Sequence, residues 1–148
     1  MFRGTYSHNV DAKGRMIVPS KFRESLGETF IITKGFGTEA IEKCLYAYCM
    51  KAWNELEAKL EKLPSLDPDS RRMVRYITGC AFDVEFDEQG RSLIPPGLRE
   101  FAGITKEIVS IGLPGRIEIW SRSHWEVYNN EMNFIDDDLS RRMADLGI

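Results

Sequence analysis

The 148-residue sequence has few of the residues from which disulfide networks and metal sites are built: three cysteines and two histidines. An odd number of cysteines without neighbouring histidines argues against a disulfide framework and against a zinc site. The sequence also lacks a run of about 18 apolar residues, the length that crosses a bilayer. The start, Met1-Phe2-Arg3-Gly4, lacks the apolar run of a signal peptide. We therefore expect a cytoplasmic protein with free thiols and with no metal, cofactor, small-molecule ligand or membrane partner.

One stretch occurs twice, as residues 11–27 and again as residues 87–103, and Asp, Gly, Arg, Pro, Arg, Glu and Gly recur in register. Asp-x-x-Gly between extended runs predicts a hairpin turn, since Asp bonds its own downstream backbone and Gly accepts a positive φ. The next Arg opens a strand, an apolar pair (Ile17-Val18 or Leu93-Ile94) enters the core, and Pro ends the strand. A short helix then ends at a glycine. The motif positions are Asp11, Gly14 and Arg15 in the first copy and Asp87, Gly90 and Arg91 in the second.

The sequence pattern predicts the same order of elements in each half of the chain: strand, turn, strand, short helix, two strands and a longer helix. The last of these helices is expected to begin with a capping box made by Ser123 and Glu126. The polar tail around 136–142 is expected to be mobile or a weak helix. Since neither unit can close its own sheet, we predict a mainly β, α+β fold in which two pseudo-symmetric units form one β-barrel. The predicted segments are a first repeat (5–52), connecting helices (53–80), a second repeat (81–124) and a C-terminal helix with an acidic tail (125–148).

The two copies differ in charge, although the whole chain carries only −3. Residues 1–34 have six basic and three acidic side chains, a net of +3, whereas residues 79–125 have five basic and seven acidic ones, a net of −2. One interpretation is that the first copy contacts phosphates and base edges as a β-ribbon in a DNA groove. The other is an ordinary solvated surface, on which Arg15 and Arg91 only pair with the nearby acids. A further basic stretch, 71–75, is interpreted mainly as packing between units or subunits.

These motifs resemble the MraZ family, within the wider SpoVT/AbrB and MazE superfamily. The resemblance covers about residues 1–133 and rests on Met1-Phe2-Arg3-Gly4, Asp11-x-Lys13-Gly14-Arg15-x-x-Val18-Pro19, and Gly90-Arg91 with Pro95 and Leu98. It implies two swapped-hairpin units in one double-split barrel. It also implies a nucleoid-associated, sequence-specific DNA-binding transcriptional regulator, a ring-like homo-oligomer that binds short direct repeats upstream of its own division and cell-wall operon, as a repressor. The expected DNA-binding residues are Arg15 by the motif, and Lys13, Arg3, Lys21 and Arg23 by charge.

Two other classes of protein compete with this interpretation. An antitoxin-type, partner-binding module of the MazE kind would carry a disordered extension, but the chain after residue 134 is short. An enzyme could use Asp11 and Asp87 as a carboxylate dyad that shares a proton. However, each Asp has an Arg four residues on, which would hold it ionised. We expect no catalysis.

Overall fold

The computed structural model describes residues 2–148, so Met1, the first residue of the opening motif, lies outside the described residues. Within that range the chain forms eight strands and six α-helices, and a single 3₁₀ turn (Ala40–Glu42) in the loop before the fourth strand. The first half contains β1 (Gly4–Asn9), β2 (Arg15–Ile17), α1 (Ser20–Leu26), β3 (Thr29–Lys34), β4 (Leu45–Cys49), α2 (Met50–Glu61) and α3 (Pro68–Gly79). The second half contains β5 (Phe82–Glu85), β6 (Arg91–Leu93), α4 (Pro96–Ala102), β7 (Glu107–Leu113), β8 (Arg116–Ser121), α5 (Arg122–Met132) and α6 (Asp137–Asp145).

The two halves exchange their first strands. β1 pairs with β7 of the second half, and β5 pairs with β3 of the first half, all antiparallel. The resulting six-stranded sheet has the order β1-β7-β8-β4-β3-β5, while β2 and β6 form a separate two-stranded ribbon. The predicted α+β class and the interleaving of two equivalent units are therefore confirmed. Among the described strands β1 and β5 are the free edges of the large sheet, and a closed barrel stays a prediction, as do the segment boundaries.

Strand alternation divides the core between the two faces of the sheet. In β3, Phe30 and Ile32 belong to a central cluster, whereas Ile31 belongs to a second cluster on the other face. The central cluster uses equivalent positions of the two repeats, such as Phe22 of α1 and Leu98 of α4. The second cluster is rich in aromatic residues and includes Trp53 of α2 and Trp120, with Trp125 packed against it. Burial of such large side chains contributes roughly 1.5–3 kcal/mol each.

The expectation that Ile17 and Leu93 enter the core with their neighbours is wrong. Val18 and Ile94 are buried, but the side chains of Ile17 and Leu93 are 57% and 48% exposed. The reason is the period of two in a strand, which sends adjacent side chains to opposite faces. Only one residue of each apolar pair can face the core.

Two helix ends also differ from expectation. Helix α5 begins at Arg122, and its N-cap is Ser121, whose hydroxyl accepts a hydrogen bond from the His124 N–H at 3.2 Å. The predicted capping box is wrong because Ser123 already lies inside the helix and Glu126 accepts from Arg122 at 3.0 Å instead. The tail, expected to be mobile or a weak helix, forms helix α6, and Asp136 is its N-cap.

Candidate nucleic-acid interface

The first hairpin turn is held by the carboxylate of Asp11. Its Oδ1 accepts from the backbone N–H groups of Lys13 (3.0 Å) and Arg15 (2.9 Å), and its Oδ2 accepts from Arg15 Nε (2.8 Å). The backbone closes the same turn, because Gly14 N–H donates to the Asp11 carbonyl at 2.9 Å. Gly14 has a φ of +85°, a conformation that disfavours side chains. The motif therefore encodes a rigid turn that fixes the direction of the Arg15 side chain.

The second turn repeats this geometry. Asp87 Oδ1 accepts from the N–H groups of Gln89 (2.9 Å) and Arg91 (2.8 Å), and Oδ2 accepts from Arg91 Nε (2.8 Å). The pKa of each carboxyl, Asp11 and Asp87, lies below its ordinary value, chiefly because the backbone N–H of the arginine four residues on bonds the charged form. Both carboxylates are ionised at neutral pH, so they do not form a proton-sharing dyad.

The two arginines differ in what else they touch. Arg91 Nη1 lies 3.9 Å from Oδ2 of Asp11, so Arg91 interacts with the carboxylates of both turns. Arg15 pairs through Nε with Asp11, and across residues 2–148 its two terminal Nη groups have no protein acceptor. Arg15 thus keeps the outer part of its guanidinium fork available for an external acceptor, whereas Arg91 bridges the two repeats.

The two turns stand at opposite ends of the β2–β6 ribbon. Arg15 lies opposite Leu93, Met16 opposite Ser92, and Ile17 opposite Arg91. Four residues separate the levels of Gly14 and Gly90 along the ribbon, which corresponds to about 13 Å at the usual rise of a strand. Met16 and Ser92 are buried beneath the ribbon. Its outer face therefore presents two arginines and two aliphatic side chains between the turns.

The structure brings some of the predicted DNA-binding residues together and separates others. Lys13 is exposed at the tip of the first turn. Arg23 lies against the second turn, since a Cβ placed on Gly90 would clash with Arg23 Nη1. Lys21 is exposed, but two residues along a helix it points to nearly the opposite side from Arg23. Arg3 precedes β1 and lies at the far end of that strand, on the order of 20 Å from the first turn.

Sequence reasoning missed Arg99. This side chain of α4 lies against the first turn, since a Cβ on Gly14 would clash with Arg99 Cζ. Its Nε donates to the Ile94 carbonyl at 2.9 Å. Arg99 and Arg23 hold the same position in the two repeats, and each packs on the turn of the opposite repeat. The sequence repeat already relates Arg99 to Arg23. Only the strand exchange shows that each of these arginines contacts the turn of the other repeat.

The remaining reactive groups do not form a second centre in the part of the chain that the structure describes. There, no three side chains among His, Cys, Asp and Glu are grouped as a metal ion would require. None of the helices there has the length and apolar character needed to cross a membrane. Burial raises the pKa of the Cys44 thiol far above its usual range, so this cysteine stays protonated. It packs as a small apolar side chain.

Comparison with known proteins identifies the doubled motif. The family model described as "MraZ protein, putative antitoxin-like" matches the chain twice, over residues 1–76 and 77–145. The chain belongs to the MraZ family. The two matches correspond to the two repeats that exchange strands, which agrees with the resemblance inferred from the motifs.

Several MraZ relatives align with this chain from end to end. The protein named transcriptional regulator MraZ from Acetivibrio thermocellus is 50% identical over 148 residues, and the one from Clostridium botulinum strain Alaska E43 is 51% identical over the same length. The protein of that name from Thermoanaerobacter sp. strain X514 is 43% identical. In all three comparisons the alignment covers 100% of both chains.

Proposed function

We propose that this MraZ-family chain is a sequence-specific DNA-binding transcriptional regulator that represses its own division and cell-wall operon by binding short direct repeats upstream of it. The observation that carries the proposal is the ribbon between two turns of the same geometry, with Lys13 exposed at one tip and the terminal guanidinium nitrogens of Arg15 without an acceptor among residues 2–148. The names of the relatives as transcriptional regulators support it. We also propose a non-catalytic role in the cytoplasm, in association with the nucleoid.

The geometry suits the major groove of DNA. That groove is about 12 Å wide and admits a two-stranded antiparallel ribbon. An arginine can bind guanine O6 and N7, or a phosphate, with two parallel hydrogen bonds. Asp11 holds Nε of Arg15 and leaves its terminal nitrogens for such a contact. Because the side chain is already oriented, little conformational entropy is lost on binding.

We further propose that the protein acts as a ring-like homo-oligomer. One basic turn per chain makes few phosphate contacts, so a single chain would bind weakly and salt would suppress that binding. Several chains on repeated sites raise the affinity through effective concentration. Direct repeats in the DNA and repeated subunits in the protein therefore account for each other.

A second candidate is the antitoxin-type module. It is favoured by the exposed apolar side chains at the C-terminal end, among them Phe134, Leu139 and Leu146. Exposed apolar side chains mark a protein contact where they form one contiguous surface. A toxin would cover it under this hypothesis, whereas a neighbouring subunit would cover it in a ring.

The test is a gel-shift titration of the purified protein with the DNA upstream of its own gene, over a series of salt concentrations, against a scrambled duplex of the same composition. We expect a shift of the upstream DNA without any added protein, an affinity that falls steeply with salt, and much weaker binding to the scrambled duplex. Equal binding to both duplexes would contradict sequence-specific regulation. Binding to the upstream DNA only with a co-purifying partner would favour the antitoxin-type module.

A further inference from the structure

We propose that Ile17 and Leu93 contact the 5-methyl groups of thymines in the DNA major groove and thereby help to determine which sequence the ribbon reads. This inference rests on the proposed function, since it specifies what the ribbon contacts on the DNA. Both side chains are about half exposed, at 57% and 48%. Neither belongs to the central cluster that contains their neighbours Val18 and Ile94. Core packing therefore does not explain why both positions are aliphatic.

Their placement on the ribbon is systematic. Ile17 and Leu93 are equivalent positions of the two repeats, six residues after Asp11 and Asp87. In the ladder, Ile17 lies opposite Arg91 and Leu93 lies opposite Arg15. The outer face of the ribbon therefore consists of two arginine–aliphatic pairs, related by a pseudo-twofold axis through the Met16–Ser92 pair. One aliphatic side chain lies on each side of that axis.

The spacing along each strand matches the spacing of bases. Side chains two residues apart point to the same face and lie about 6.6 Å apart. Two base-pair steps span about 6.8 Å. Arg15 and Ile17 on β2, and Arg91 and Leu93 on β6, can therefore face bases two steps apart in the groove.

The chemistry selects thymine among the bases. In the major groove guanine offers two acceptors suited to an arginine fork, while thymine offers an apolar methyl group. Lys13 and the arginines supply the positive charge that the phosphates attract. In a purely structural role, Ile17 and Leu93 would only cover the aliphatic stems of the arginines opposite them. That role does not depend on the thymine methyl group.

The experiment compares two versions of the same upstream DNA, one made with thymidine and one with deoxyuridine, which pairs identically but lacks the methyl group. We expect wild-type protein to bind the uracil DNA about fourfold more weakly per contacted methyl group, and roughly tenfold or more when both repeats engage. Ile17→Ser/Leu93→Ser should bind thymine DNA more weakly by the same factor and should no longer distinguish the two duplexes.

Leu66→Ser is the matched control, since Leu66 is 86% exposed in the connection between α2 and α3 and should keep the wild-type ratio. Equal wild-type affinity for the two duplexes overturns the inference, even if the double variant fails to fold. A folded double variant that retains the wild-type ratio also overturns it, because the discrimination would then come from DNA shape. Failure of wild-type protein to bind either duplex contradicts the proposed function itself.

Discussion

At the scale of single residues, the two repeats contain the same turn but give its arginine different surroundings. Arg15 and Arg91 make the same 2.8 Å bond to the aspartate four residues before them. Only Arg91 also lies near the aspartate of the other turn. The same motif can therefore supply a binding group in one repeat and a connection between repeats in the other.

Arg15→Ala and Arg91→Ala should consequently differ. Loss of Arg15 should weaken binding to the upstream DNA by about 5- to 150-fold, the range for one bidentate base contact, with little change in melting temperature. Loss of Arg91 should lower the melting temperature by about 2–4 °C and affect DNA binding less. Fluorescence anisotropy and thermal melts measure the two effects. Equal DNA affinity for wild type and Arg15→Ala would refute the assignment.

The turn carboxylates predict a pH dependence. Since the pKa values of Asp11 and Asp87 lie below the ordinary value of 3.8, their charged forms stabilise the fold fully above about pH 4. That contribution is lost as the pH falls through the lowered pKa values. Asp11→Asn/Asp87→Asn should melt below wild type at pH 7, and the gap should narrow below pH 4. Glu88→Gln, an exposed acid in the second turn, serves as control. A gap that does not change with pH would contradict this account.

At the scale of elements, the sequence predicts strands and helices well where turn residues mark their ends. Asp67 and Pro68 identify the start of α3, where Asp67 accepts from Ser70 N–H at 3.0 Å. The pattern misplaced the start of α5 because Ser121, Ser123 and Glu126 all suit a helix start. Which serine forms the cap depends on where β8 ends, and the pairing of β8 with β4 and β7 fixes that point.

The cap assignment can be tested by two serine substitutions in the same segment. Ser121→Ala should lower the free energy of unfolding by about 1 kcal/mol, because the His124 N–H loses its acceptor at the helix start. Ser123→Ala should leave the free energy of unfolding nearly unchanged, since this serine lies in the first turn of the helix. Chemical denaturation with circular dichroism measures both. If Ser123→Ala lowered the free energy of unfolding more than Ser121→Ala, Ser123 would be the N-cap, as the capping box predicts.

The candidate site was predictable in its chemistry but not in its assembly. The motif identified Asp11, Lys13 and Arg15, and the structure shows how these residues form one turn. The contact of Arg99 with the turn of the opposite repeat follows from the strand exchange, and the position of Ile17 opposite Arg91 follows from the ribbon register. Both relate residues more than 70 positions apart in the chain, which local patterns do not relate.

At the scale of the whole molecule, the exchange of β1 and β5 makes each half incomplete without the other. Each half of the large sheet ends in a strand supplied by the other half. The central cluster likewise mixes residues of both repeats, such as Phe22 and Leu98. The two repeats should therefore behave as one cooperative unit.

Hydrogen exchange under mildly denaturing conditions tests this expectation. Amides in the β1–β7 and β3–β5 ladders should exchange with the same opening free energy and the same dependence on denaturant, because neither ladder can open without disturbing both repeats. Exchange of one ladder through a separate opening of lower free energy would show that the halves unfold independently.

The central claim is that the first turn, with the positively charged side chains of Lys13 and Arg15, binds DNA. The most direct measurement is the affinity for upstream DNA, over a salt series, of wild type, Lys13→Ala and Gln89→Ala, which truncate equivalent positions of the two turns. We expect Lys13→Ala to weaken binding and to reduce the salt dependence by about one ion per bound chain, while Gln89→Ala leaves both unchanged. Equal effects of the two substitutions, or none from Lys13→Ala, would contradict the account.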